Sequence, residues 1–273
     1  MKIAFVAVNY NNWHISANYV SSVKAIRDYQ KHEITIVIVD NASNENDYLC
    51  LRSEIEGIQD VILVRTADNL GYFGGLNYGI RQIDYRSYDY VIAGNNDLFF
   101  KRDFISILST KKYENKQTVI VPDLLTVGGI HQNPQFIKAP SKKRQLGYKI
   151  YYSWYPIALL MDLLYGKTRE KRLNQKKEKV TESMEIFQCT GAIMLLRPSF
   201  FGHCGLLDDS LFLWGEEVAL AHQLILVGDK MLYDPQLQVI HMENASVGKI
   251  ASYKKYKLWK KSFETYKNYY INM

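Results

Sequence analysis

The sequence predicts an α/β fold, a mostly parallel Rossmann-like sheet flanked by helices, and three observations predict it. Four short apolar runs, Ile3 to Val8, Ile34 to Val39, Val61 to Val64 and Tyr90 to Ala93, are rich in Val and Ile and lack polar alternation. Runs of that kind are covered on both faces, as parallel strands are. Each is followed by a polar stretch: Asn9-Tyr10-Asn11, Asp40-Asn41-Ala42-Ser43, Asn69 to Asn77, and Gly94-Asn95-Asn96-Asp97. Open α/β sheets bind ligands beyond the carboxyl ends of their strands, so this repeated placement marks a ligand site. Third, Val218, Ala221, Leu224 and Ile225 recur at helical spacing until Gly228 stops the pattern.

The elements follow in order. One Lys and six apolar residues precede Asn9, a run too short for a signal-peptide core and suited to a first strand. A helix is expected from Leu76 to Ile83, another from Asp103 to Lys111, and a strand near Thr118 to Val121. Gly128, Gly129, Pro134 and Pro140 then lead into an inserted basic and aromatic arm, about residues 138–182. Regular patterning resumes at Glu185, with a strand from Gly191 to Leu196 and a short helix started by Pro198. A last strand, Gln238 to Ile240, delivers His241 at its end. The expected division is a core over residues 1–250, carrying the arm, and a basic aromatic helix over 251–273.

Composition fits one soluble, enzyme-sized unit: 273 residues, 47% of them hydrophobic, bury a sizeable core. Cys50, Cys189 and Cys204 are odd in number and lack metal-ligand spacing, which points to a reducing compartment and no disulfide framework. The net charge of +6 is unevenly spread. Residues 142–179 hold eleven basic side chains against Asp162, Glu170 and Glu178, and residues 251–273 hold six lysines against Glu264. The remainder is acidic. Between the arm's basic clusters runs Tyr151 to Met161, then Leu163 to Tyr165, interrupted by Pro156 and Asp162 and shorter than the ~20 residues that span a bilayer. Apolar and aromatic residues between Lys and Arg suit the headgroup region of an anionic membrane, so arm and tail are expected at the inner face of the cell membrane, outside the fold proper; the alternative is an ordinary helix packed on the core with a solvated basic tail. No nucleic-acid motif accompanies the charge, and nucleic acid is not expected as a partner.

Asn and Asp side chains after the strands can bond a base, a ribose or a metal, and the glycines of Gly71 to Gly79 admit close backbone approach. The loop lacks the G-x-G-x-x-G spacing of a nicotinamide enzyme. Asp97 is a hard oxygen ligand suited to Mg2+ or Mn2+.

Taken together, Asn9-Tyr10-Asn11, Val39 to Ser43, Asn69 to Gly79, Asn95-Asn96-Asp97, Gly191 to Arg197, Trp214-Gly215-Glu216-Glu217 and His241 resemble the ordered signature of family two glycosyltransferases, most of all the bacterial rhamnosyltransferase-like branch that builds surface polysaccharides. The resemblance runs from Met1 to about Lys249 and omits the arm. It implies a GT-A fold, a nucleotide-diphosphate sugar donor, a divalent metal and inversion at the anomeric carbon.

Residue by residue, the resemblance implies that Asp97 and His241, followed by Asn244 and Ser246, hold the metal. Asp40 would accept a hydrogen bond from N3 of uracil or thymine, which leaves UDP and dTDP undistinguished, while Ser43 caps the next helix. Ala7 and Asn9 would frame the base through their backbones. Asn69, Gly71 and Asn77 would shape the loop over ribose and diphosphate, with Asn95 and Asn96 beside them. Glu217 aligns with the general base, and Trp214 and Glu216 stand on the acceptor side. Three departures, Asn95 opening the metal triplet, Glu217 for the usual Asp and Ala219 for another acid common in this branch, keep open a second reading as a catalytically silent sugar-nucleotide or membrane-binding scaffold. The primary reading is an inverting glycosyltransferase acting on a lipid-linked glycan.

Overall fold

In the computed structural model, residues 1–174, 180–243 and 252–271 are described. Lys176, Lys177 and Lys179 of the arm, and Asn244 and Ser246 after His241, lie outside them. Among the described residues one sheet of nine strands organises the fold, with helices between most successive strands. The first half is β1 (Lys2–Asn9), α1 (Trp13–Lys24), β2 (Glu33–Asp40), α2 (Glu45–Ile55), β3 (Val61–Arg65), α3 (Tyr72–Ile80) and β4 (Tyr90–Asn95). These four strands pair in parallel in the spatial order β3-β2-β1-β4, so all four polar stretches emerge at one edge.

The second half is mixed. It runs β5 (Leu98–Phe100), α4 (Phe104–Ser109), β6 (Gln117–Thr126), α5 (Lys142–Ser153), α6 (Tyr155–Asn174), β7 (Met184–Ile186), β8 (Ile193–Leu196), α7 (Pro198–His203), α8 (Glu216–Val227), β9 (Lys230–His241) and α9 (Ser252–Ile271). β8 lies antiparallel between β4 and β6, and β9 is parallel to β6 but antiparallel to both β5 and β7. The expected last strand, three residues in the sequence reading, is therefore a long shared ladder. Two apolar layers cover the sheet: Phe5, Tyr19, Ile36 and Phe104 on one face, Val6, Val39, Phe73 and Phe200 on the other.

The glycine-rich stretch is helix rather than loop. α3 begins at Tyr72, four residues before the expected start, and its glycines face the sheet. A Cβ on Gly79 would come within 2.6 Å of Val39 and 2.8 Å of Val6, and one on Gly75 within 3.0 Å of Val8. Gly75 and Gly79 serve helix-on-sheet contact, a role periodicity does not separate from a phosphate cradle. Asn44, not Ser43, caps α2, its side chain accepting from Asp47 N at 3.0 Å.

The arm and tail belong to the fold, contrary to the expectation that they lie outside it. Tyr148 and Tyr152 of α5 pack on Phe263 of α9, and Tyr151, Tyr152 and Tyr155 surround Tyr256. Tyr266 of α9 is buried against Leu211 and Ala219. Tyr148, Tyr151, Tyr152 and Tyr155 are thus spent on helix packing, whereas Leu159, Leu160, Leu163, Leu164 and Tyr165 of α6 are exposed, as is Trp154 before it.

Candidate active site

The carboxyl edge of the parallel strands carries a buried polar network. The Asn9 amide nitrogen donates to Asp40 Oδ1 at 3.0 Å, Asp47 Oδ1 at 2.9 Å and Ser43 Oγ at 3.1 Å, while Asn9 Oδ1 accepts from Ser16. Asn96 donates to Ser16 Oγ and to Asn12 Oδ1, tying the β4 loop to the start of α1. Asp40 is fully buried, receives Ser43 N and pairs with Arg65 Nε at 3.2 Å. Beside it a pocket of about 520 Å³ is lined by Ala42, Ser43, Arg65, Thr66 and Ala67.

Some expected contact residues have other work here. Ala7 lies inside the ladder, between Ile38 and Gly94, so its backbone is committed to the sheet. Asn77 bonds Leu207 O and Leu207 N and reaches Asp209, which makes it the anchor of the 207–212 loop. Gly71, at φ +77°, lets that loop close: a Cβ there would meet Phe212 O at 2.2 Å. Asn69 Oδ1 accepts from Gly71 N and from Asn41. Asn41 is a residue to which the sequence reading gave no role, yet it also holds Leu70 N, Gly71 O and Thr66. Asn-Ala after a strand reads as an ordinary turn, and nothing in its spacing signals three loop contacts.

The proposed metal pair is brought together by strand pairing. Leu98 of β5 is opposite His241 of β9, which sets His241 Nε2 3.1 Å from Asp97 Oδ1. Asn95 Nδ2 lies 3.3 Å from the same ring nitrogen. On the other side of the ring Nδ1 donates to Gln132 Oε1 at 2.8 Å, and Gln132 in turn donates to Glu243 at 3.0 Å. Glu243 orients Gln132, Gln132 holds the proton on Nδ1, and the Nε2 lone pair faces Asp97. A carboxylate oxygen and an imidazole nitrogen suit Mn2+ or Mg2+ with most positions left to other oxygen donors. Among the described residues no three His, Cys, Asp or Glu side chains gather as a complete cage.

The acidic pair opens α8. Glu217 lies against Gly191, where a Cβ would meet its side chain at 3.5 to 3.7 Å, ordinary van der Waals contact. Burial raises its pKa, opposed by the backbone amides of Glu217, Gly191 and Gly215. Glu216 is 4% exposed, and its Oε1 has no hydrogen-bond partner among the described residues. Burial first and the charge of Glu217 second push Glu216 up to about 7. The Tyr72 hydroxyl donates to Gly191 O at 2.8 Å, and burial, then Glu216, Asp97 and Glu217, hold it well above its ordinary value. That phenol is therefore within electrostatic reach of both acidic residues of α8 and of the proposed metal carboxylate.

The sign of the Glu216 shift gives a stability prediction. A carboxyl raised from 4.5 in the unfolded chain to about 7 binds protons more tightly when folded. Its ionised form thus costs stability as pH rises from about 4.5 to about 7, and the cost is complete above that. Glu216→Gln should raise the unfolding free energy at pH 8 by up to ~3 kcal/mol, with much less gain at pH 4.5. Urea denaturation at the two pH values checks this.

Residues 5–204 match the family model described as Glycosyl transferase family 2. The chain belongs to that family. A curated member, the low-salt glycan biosynthesis hexosyltransferase Agl10 of Haloferax volcanii, is 24% identical over 223 residues, covering 81% of this chain and 61% of that protein. Among solved structures, GalNAc-T7 with UDP, GalNAc and Mn2+ superposes with a TM-score of 0.65 at 18% identity, over 97% of this chain and 48% of that one. The mannosyltransferase PcManGT of Pyrobaculum calidifontis with GDP-Man and Mn2+ gives 0.55 at 12%, over 90% and 58%. This family 2 chain thus has the GT-A fold of those glycosyltransferases and spans about half to three fifths of the length of these relatives.

Proposed function

We propose that this family 2 protein is an inverting, metal-dependent glycosyltransferase that moves a sugar from a UDP- or dTDP-sugar to a hydroxyl of a lipid-linked surface glycan. The observation that carries the reading is the meeting of Asp97 with His241 beside a phenol that also feels Glu216 and Glu217. Asp97 and His241 would hold a divalent cation, which when bound neutralises charge on the departing diphosphate. The pocket at Ala42, Ser43, Arg65, Thr66 and Ala67 is the place for the nucleoside, next to Asp40 and under the loop that Asn41 and Asn69 fix. Glu217 takes the proton of the acceptor hydroxyl, and its raised pKa brings it closer to that task than an exposed carboxylate. Glu216 Oε1, buried and unpartnered among the described residues, accepts a second acceptor hydroxyl. The Mn2+ bound in GalNAc-T7 and PcManGT supports the metal, and the hexosyltransferase relative supports a sugar as the group transferred. Thermal-shift titration with sugar nucleotides, with and without Mn2+, followed by transfer assays with the stabilising donor, tests the reading. Equal response to every nucleotide in both conditions would sink it.

The membrane partner and a cytoplasmic, peripheral location belong to the same proposal. No helix among the described residues is long and apolar enough to cross a membrane. α6 instead exposes Leu163 at 80% and Leu164 at 63%, and the preceding helix α5 opens with exposed Lys142, Lys143 and Arg144. Such a helix lies in the headgroup region, drawn to anionic lipid by about 1 kcal/mol for each Lys or Arg near the surface. Replacing Lys142, Lys143 and Arg144 with Gln should weaken binding to anionic vesicles in low salt, and Leu160, Leu163 and Leu164 to Ser should remove the salt-resistant fraction. Vesicle sedimentation decides, and equal binding of wild type and both variants rejects this partner.

A further inference from the structure

We propose that the C-terminal helix α9 is a working part of the acceptor side of the site, with Trp259 and Ser262 as positioning residues for Glu217. The inference rests on the reading of Glu217 as the general base and adds to it the element that holds the base in place.

The residues just before α8 have an unusual backbone. Trp214 at φ 65° and Gly215 at φ 101° stand in succession in the left-handed region, and Glu216 and Glu217 follow at once. A bulky residue at positive φ is strained and persists only where its surroundings over-determine it. α9 supplies that constraint. Ser262 Oγ donates to Trp214 O, closing the carbonyl of the strained residue. Trp259 stacks on the Trp214 ring, centroids 6.1 Å apart with 12° between the planes, and Lys255 Nζ stands 5.6 Å from the Trp214 ring centroid.

Gly215 completes the contact from the other side. A Cβ there would lie 2.8 Å from Ser262 Cβ, so the turn and α9 are in close approach. One helical turn beyond Ser262, Tyr266 donates to Asp208 Oδ2 at 2.9 Å and bonds Ser210 Oγ at 3.0 Å, holding the start of the same loop. The 208–215 segment is thus fastened to α9 at both ends, while Tyr72 N, donating to Phe212 O at 3.1 Å, fastens its middle to α3. The direction in which α8 leaves that turn sets where Glu217 points, and catalytic geometry is lost steeply with displacement.

The consequence is a specific pattern of loss. Ser262→Ala and Trp259→Ala should leave the nucleotide side intact, because the hydrogen-bond partners of the Asp40 side chain (Asn9 and Ser43) and of the Asn41 side chain (Thr66, Asn69, Leu70 and Gly71) lie outside α9. They free the Trp214 to Gly215 turn and let the base drift. The test measures kcat, acceptor KM, donor affinity and melting temperature on the full chain, for wild type, Ser262→Ala, Trp259→Ala and Trp259→Phe. Expected are at least about a tenfold fall in kcat for both alanine variants, donor affinity within about twofold of wild type, and substantial recovery in Trp259→Phe, which keeps a stacking ring. Unchanged kcat in both alanine variants overturns the inference. So does a loss of kcat matched by equal loss of donor affinity in all three variants, which would mark α9 as general scaffolding. Absence of transfer by the wild type would instead overturn the reading of the site as a glycosyltransferase.

Discussion

Glu217→Gln is expected to cut turnover by about 10²-fold or more while donor affinity stays within about twofold, because a general base acts on the acceptor and not on the nucleotide. Glutamine keeps the shape beside Gly191 and removes the lone pair that takes the proton. The pH profile follows from the direction of the shift. Burial raises the Glu217 pKa, so its ionised, competent form is lost at a higher pH than for an exposed glutamate, and kcat should fall as pH is lowered through that raised value. In Glu217→Gln the residual rate should lose this acid limb. Glu216→Gln, by contrast, should retain transfer and weaken acceptor binding. If Glu216→Gln abolished turnover and Glu217→Gln did not, the roles would be reversed. Steady-state kinetics with one donor and a saturating acceptor separate the two.

Asp97→Ala and His241→Ala should abolish the dependence of donor binding on Mn2+, with loss of rate of comparable size. Each removes one of two side chains that face each other at 3.1 Å. Removing a single ligand from a site with so few protein donors leaves little to hold the ion. Gln132→Ala should weaken Mn2+ binding by about 10- to 100-fold without touching a ligand, since it frees the His241 proton to move between ring nitrogens. Calorimetric titration of Mn2+ in the presence of donor reads all three. Donor affinity that is the same with and without Mn2+ in the wild type would discard the metal.

The parallel half of the fold was legible because buried strands announce themselves as apolar runs rich in Val and Ile, and three of the four, β1, β2 and β4, end in Asn or Asp. Asp97 and His241 were joined by the family resemblance alone, because the β5 to β9 pairing that brings them together links residues far apart in sequence and leaves no local mark. Gln132 and Asn41 went unread for the same reason: a side chain that orients another carries no motif. Ala7 and Asn77, placed at the ligand by resemblance, also pair in the ladder and anchor the 207–212 loop, contacts that no motif announces. The antiparallel second half escaped because a four-residue strand such as β8 reads alike in either direction. The arm misled most. Interleaved tyrosines look the same whether they meet lipid or another helix, and here they meet α9.

The β9 ladder has a consequence for how the molecule comes into being. β1 to β4 with α1 to α3 involve residues 2–95, pair among themselves and can collapse as soon as that stretch has left the ribosome. β5 and β6 flank β9, yet β9 begins only at Lys230, and α9 follows it. Long-range pairings of that kind close late, after the loop entropy between them has been overcome. During synthesis the pocket at Ala42, Ser43, Arg65, Thr66 and Ala67 therefore forms well before Asp97 and His241 are paired and before α9 fastens the turn that leads into Glu217.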